Sequence, residues 1–184
     1  MDIYIVHGYN AGVTEHWFPW LAKQLRDQGH QVEVVELPTP SEPKRDEWEA
    51  VLAETIGAVD ENTLIVAHSL GTITALRHLA SLESGWTLGG LVSVSGFTGG
   101  LEVLPELEDY MAEGIDVRPL VPQINARTMI HSDNDSIVPP SASITLGKEL
   151  AAELIEIPGG GHFLGDEGFT ELPEVLAAVE RIAR

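Results

Sequence analysis

The stretch Leu64-Ile65-Val66-Ala67-His68-Ser69-Leu70-Gly71 runs without a break into Thr72-Ile73-Thr74-Ala75-Leu76-Arg77-His78-Leu79-Ala80. An apolar run of strand length is the pattern of a strand buried on both faces, as in a parallel sheet. The segment after Ser69 reads as a helix, so strand and helix must meet in one sharp turn. A turn that tight needs small neighbours, and Ala67 and Gly71 flank the serine two positions away on either side. This small-x-Ser-x-Gly layout lifts a hydroxyl above the end of a sheet and aims the first N–H groups of the new helix at the same point.

The rest of the chain repeats the strand-then-helix rhythm. Residues 3–6, 32–37, 88–95, 127–131 and 153–157 are further apolar or β-branched runs. Between them, residues 17–28, 45–59 and 141–150 carry apolar positions near helical spacing, and residues 172–183 close the chain as an amphipathic helix. Residues 98–125 are the least regular. A helix is expected over 101–111, with Pro105, Pro119 and Pro122 interrupting the region. Six strands alternating with helices predict an α/β fold, a three-layer sandwich with about six parallel strands and helices on both faces. With 184 residues and no linker-like or repeated segment, residues 1–184 are expected to form one domain. The stretch between the fourth and fifth strands is too short for a large cap domain.

Composition narrows the function classes. The formal charge is −19, from 29 acidic and 10 basic residues, which disfavours nucleic acid, anionic membranes and strongly anionic substrates. No cysteine is present, so thiolate nucleophiles, thiolate metal sites and disulfides are excluded. The first residues lack a signal-peptide pattern and no apolar run reaches membrane-spanning length, so a cytoplasmic location is expected.

In parallel sheets of this kind, sites form at the carboxyl ends of the strands. His7-Gly8-Tyr9, Ser69, Phe97, the Asp133/Asp135 pair and His162 all follow predicted strands. A serine hydroxyl needs a base, and the base needs an orienting carboxylate. Among the histidines beyond Ser69, His78 falls inside a helix and His131 inside a strand. His162 sits in a glycine-rich loop after the last strand, from which an imidazole can reach the serine. Asp133 and Asp135 share one loop, and spacing does not choose between them. Two N–H donors are expected to hold a developing oxyanion, those of Leu70 and Tyr9. His7, Trp17 and Phe97 are candidate substrate-pocket residues, with His7 alternatively bracing its loop. The side chain of His68 is expected to point away from the acyl group.

With these parts in this order, the chain resembles the α/β-hydrolase superfamily, and within it the small single-domain serine hydrolases of the YdeN and retinoblastoma-binding protein 9 type. The resemblance rests on Ile5-Val6-His7-Gly8-Tyr9, His16-Trp17-Phe18-Pro19-Trp20, Val66-Ala67-His68-Ser69-Leu70-Gly71, Val94-Ser95-Gly96-Phe97, Ser132-Asp133-Asn134-Asp135-Ser136-Ile137-Val138-Pro139, Gly160-Gly161-His162-Phe163 and Asp166-Glu167-Gly168-Phe169-Thr170. By position it implies Ser69 as nucleophile, Asp135 as the acid and His162 as the base. Ala67 stands where the family more often has glycine. The implied activity is carboxylesterase-like hydrolysis of small acyl esters, with thioesters or amides as variants, and without metal or cofactor. The expected partner is a small-molecule acyl substrate, and the expected state a monomer or small homo-oligomer. The competing expectation is a catalytically silent protein-binding module on the same fold.

Overall fold

A computed structural model describes residues 1–184. Its centre is a six-stranded sheet in the order β2-β1-β3-β4-β5-β6, with every neighbouring pair parallel. The strands are β1 (Asp2–Val6), β2 (Gln31–Val35), β3 (Thr63–His68), β4 (Leu88–Val94), β5 (Ile124–Ser132) and β6 (Glu153–Ile157). The helices are α1 (Phe18–Asp27), α2 (Arg45–Thr55), α3 (Leu70–Ser81), the single turn α4 (Glu108–Met111), α5 (Pro140–Glu149) and α6 (Pro173–Ile182).

Side chains alternate across a strand, so each central strand feeds two cores. On one face, Val6, Ile65, Ala67, Leu91 and Met129 meet apolar residues of α2, α3 and α5. On the other, Ile3, Ile5, Leu64, Val66, Val92 and Ile130 meet Phe18, Leu21 and Leu25 of α1 and Val175 and Val179 of α6. Both faces of β3 and β4 are buried throughout, which explains their continuous apolar runs. Every ladder is parallel, so the carboxyl ends of all six strands open on one rim.

The segment between β4 and β5 departs from the expected helix over 101–111. It forms a 3₁₀ turn at Pro105–Leu107, the short α4, and a second 3₁₀ stretch at Arg118–Gln123. Proline removes an N–H and restricts the residue before it, so a long helix cannot propagate here. Arg77 of α3 anchors this strap from below, its guanidinium donating to the carbonyls of Tyr110 at 2.8 Å and Met111 at 2.6 Å. No helix is long and apolar enough to cross a membrane.

Candidate active site

Ser69 occupies the turn between β3 and α3 with φ 53° and ψ −125°. This left-handed region is costly for a residue with a Cβ, of order 1–3 kcal/mol, and persists only where the surroundings impose it. Here they do. The Ser69 N–H donates to the Val94 carbonyl at 2.9 Å, pinning the turn to the end of β4. Gly71 lies hard against β1: a Cβ there would sit 2.5 Å from the His7 carbonyl oxygen and 2.6 Å from that of Val6. Gly8 makes the reciprocal approach, since its Cβ would fall 2.9 Å from the Ser69 Cβ and 3.3 Å from the Leu70 nitrogen. The two glycines bring the loop after β1 and the start of α3 into backbone contact beneath the serine.

Three side chains from three strand ends meet at this point. Ser69 Oγ lies 3.0 Å from His162 Nε2, and His162 Nδ1 lies 2.8 Å from Asp135 Oδ2. Their order along the chain is Ser69, Asp135, His162, on the loops after β3, β5 and β6. A carboxylate only accepts, so Nδ1 carries the proton and Nε2 is left to accept from the serine hydroxyl. Asp135 is fully engaged: Oδ1 accepts from the N–H groups of Ile137 at 2.9 Å and Val138 at 2.8 Å, and Oδ2 also accepts from Ser95 Oγ at 2.8 Å. Burial pushes its carboxyl up, but the His162 bond and charge, with the Val138 and Ile137 donors, prevail and hold it below the ordinary carboxylate range.

Asp133 has a different task. Its Oδ1 accepts from Gly159 N–H at 2.8 Å, while Asn134 Oδ1 accepts from Gly161 N–H at 2.8 Å. These two residues tie the loop after β5 to the loop that carries His162. The local Asx turn in this loop is made by Asp135, whose Oδ1 accepts from Ile137 and Val138 N–H.

The Tyr9 N–H has no acceptor within the protein, and Leu70 opens α3 with no preceding turn to take up its N–H. Gly8, which precedes Tyr9, lies against Ser69 and Leu70, so both free N–H groups belong to segments that meet at the serine. Both Tyr9 and Ser69 line an open cleft of about 650 Å³, with His162, His68, His16, Glu15, Asp166, Leu104, Ile137 and Leu164 among its other walls.

The three proposed pocket residues do not line this cleft. His7 is buried in the loop after β1, its Nε2 accepting from Leu37 N–H at 3.3 Å and its Nδ1 lying 2.9 Å from the Gly8 carbonyl. It braces β1 against the exit from β2, and burial holds its imidazole below the ordinary histidine range. Trp17 turns inward at the start of α1 into the core with Phe18 and Leu21, and Phe97 enters the opposite core with Leu101 and Val138. Burial of the large apolar rings prevails over exposure to a cleft. The cleft is instead walled by residues such as Thr14, Glu15, His16, Leu104 and Ile137.

Two further residues bear on the site; both lie in segments that carry the resemblance, but nothing in the sequence assigned either of them a role. Glu167 Oε2 accepts from the N–H groups of His162 at 2.8 Å and Leu164 at 2.9 Å, fixing the loop that carries the imidazole. Ser95 is the second donor to Asp135 Oδ2. His68 was expected to turn from the acyl group; it points to the α1/α6 side of the sheet, and there its ring packs on His162 at 4.9 Å between centroids.

The chain is similar to known proteins in sequence and in fold. A family model described as serine hydrolase matches residues 3–181. YdeN of Bacillus subtilis (strain 168) is 42% identical over 174 residues, covering 95% of this chain and 92% of YdeN. The serine hydrolase RBBP9 of Rattus norvegicus is 28% identical over 183 residues, covering 95% of this chain and 93% of that protein. The crystal structure of the ydeN gene product from B. subtilis superposes with a TM-score of 0.95 at 40% identity, covering 98% of this chain and 97% of that one.

Proposed function

The chain belongs to the serine hydrolase family, and from that premise we propose that it hydrolyses small carboxylic esters through Ser69, His162 and Asp135. The observation that carries the reading is the unbroken relay from hydroxyl to imidazole to carboxylate, with contacts of 3.0 and 2.8 Å. In the first step Ser69 Oγ attacks the carbonyl carbon while His162 Nε2 takes the hydroxyl proton. The carbonyl π-electrons move onto oxygen, and the N–H groups of Leu70 and Tyr9 receive the resulting oxyanion. Collapse of that intermediate breaks the bond to the leaving alkoxide, which takes its proton from His162. Water then attacks the acyl-enzyme with His162 again as base, releasing the acid and restoring the serine. Asp135 keeps Nδ1 protonated throughout and balances the positive charge that the imidazole gathers.

The cleft favours small substrates without negative charge. It is open, it is walled in part by Leu104, Ile137 and Leu164, and it presents the carboxylates of Glu15 and Asp166 with no lysine or arginine. A panel of p-nitrophenyl esters of graded acyl length, assayed beside matched thioesters and anilides, tests this. The expected outcome is the highest kcat/KM on short-chain esters. Rates that climb steadily to long-chain esters, or a clear preference for anilides, would overturn the substrate assignment.

A further inference from the structure

We propose that His68 is a positioning residue for the reaction: through its Nε2–H on the His162 carbonyl it fastens the base to the strand that carries the nucleophile. The inference rests on the reading of Ser69 and His162 given above.

His68 is the last residue of β3 and the covalent neighbour of Ser69. Alternation along β3 sends Leu64 and Val66 to the α1/α6 core, and His68 follows them. There it is enclosed by His16, Trp17, Phe18 and His162, with ring centroids 5.8, 5.9, 5.7 and 4.9 Å away. Its Nε2 lies 2.9 Å from the His162 carbonyl oxygen. A carbonyl only accepts, so Nε2 carries the proton and Nδ1 holds a lone pair. That Nδ1 is buried and has no partner.

A side chain that served packing alone would not take this form. An aliphatic or phenyl group fills the same space without burying an unpaired ring nitrogen, which costs on the order of 1–3 kcal/mol. What the imidazole adds is one hydrogen bond, and it ends on the backbone of the base. His162 is thereby held at four points: its N–H by Glu167, its carbonyl by His68, Nδ1 by Asp135 and Nε2 by Ser69. The residue after it, Phe163, has φ 58°, so the loop is in a conformation that a side chain resists unless it is tied down. Because the tie runs to the residue before Ser69, nucleophile and base move together. Burial, reinforced by the neighbouring His162 and His16, keeps His68 well below the ordinary histidine range. A neutral ring does not oppose the positive charge that His162 acquires.

The test compares His68→Phe, which fills the space without the donor, with His68→Gln, whose amide N–H can reach the same carbonyl. A misplaced reacting group costs up to about 10²-fold, so His68→Phe is expected to lower kcat about 10- to 100-fold with KM within about threefold. His68→Gln is expected to recover kcat to within about fivefold of wild type, at thermal midpoints similar for the two variants. A folded His68→Phe enzyme with unchanged kcat overturns the proposal, as does a Gln variant as slow as the Phe variant. Should the Phe variant not fold, ¹⁵N NMR of the wild-type imidazoles decides: His68 must be neutral with its proton on Nε2 at pH 7. A proton on Nδ1, or an imidazolium, overturns the inference. That spectrum does not depend on turnover, so it stands apart from the hydrolase reading, which falls if Ser69→Ala retains full activity.

Discussion

Replacing Asp135 by Asn changes one atom and ought to reverse the logic of the relay. In the wild type, Oδ1 accepts from the Ile137 and Val138 N–H groups, and Oδ2 accepts from His162 and Ser95. An asparagine must keep its carbonyl oxygen where Ile137 and Val138 donate, since an NH₂ group there would face two donors. Its NH₂ then faces His162 Nδ1. The imidazole answers by carrying its proton on Nε2, where it can no longer accept from Ser69. Loss of the correct tautomer is expected to lower kcat by about 10⁴-fold. That corresponds to about 5.5 kcal/mol of transition-state stabilisation at 1.36 kcal/mol per tenfold. Asp133→Asn is the matched control: its single role is to accept from Gly159, which an amide oxygen does equally well, and kcat should stay within about twofold because no tautomer changes. Steady-state turnover of a short-chain p-nitrophenyl ester, with thermal unfolding to confirm that both variants fold, provides the comparison. An Asp135→Asn enzyme that keeps a tenth or more of its rate, or equal losses in the two variants, would refute the reasoning.

Other consequences follow from the same structure. Gly71→Ala would push a methyl group into the His7 and Val6 carbonyls, which are backbone and cannot turn aside. A loss of about 3 kcal/mol or more is expected in urea unfolding, at or beyond the upper range for overpacking, and a loss below 1 kcal/mol would argue against so close an approach. His78 is buried, with Nε2 3.0 Å from the Gly57 carbonyl, and burial lowers its tendency to protonate. The unfolded chain therefore binds the proton first: stability from this group is complete above about pH 6.5 and is lost as pH falls through that value toward the lower folded one. His78→Gln, which keeps the donor, should flatten the decline in unfolding free energy as pH falls below about 6.5, by up to about 1.4 kcal/mol per pH unit; identical slopes would contradict the assignment. An ester bearing a free carboxylate should show a lower kcat/KM than its neutral isostere at low salt. The gap should narrow by 1 M salt, where the Debye length falls to about 3 Å. A gap insensitive to salt would point to shape rather than charge.

Much of this arrangement was readable along the chain, for a physical reason. Ser69 and His162 stand out because a parallel strand must be apolar until it leaves the sheet, so a reactive polar residue in a tight, small-residue context marks the exit. Gly71 was legible for the same reason, as a small residue where backbones must come close, whereas the matching approach of Gly8 shows only in the folded chain. What the sequence hid depends on contacts between distant segments. His68 looks like one more residue of a strand until the loop after β6 folds back over it. Glu167 and Ser95 look like ordinary loop residues until one caps the His162 backbone and the other reaches Asp135. Trp17 and Phe97 were misassigned because an aromatic ring beside a strand end fits a core as well as a cleft, and only the packing of α1 and of the strap after β4 decides. The expected helix over 101–111 failed where Pro105 starts a 3₁₀ turn and the chain turns again after Met111.

The proposed chemistry requires above all that Ser69 be an activated nucleophile. Incubation of the folded protein with a fluorophosphonate, followed by peptide mass spectrometry, measures this directly. The prediction is a single phosphonyl adduct on Ser69, formed at a rate that collapses in Asp135→Asn. An unlabelled folded protein, or an adduct on another residue, would contradict it.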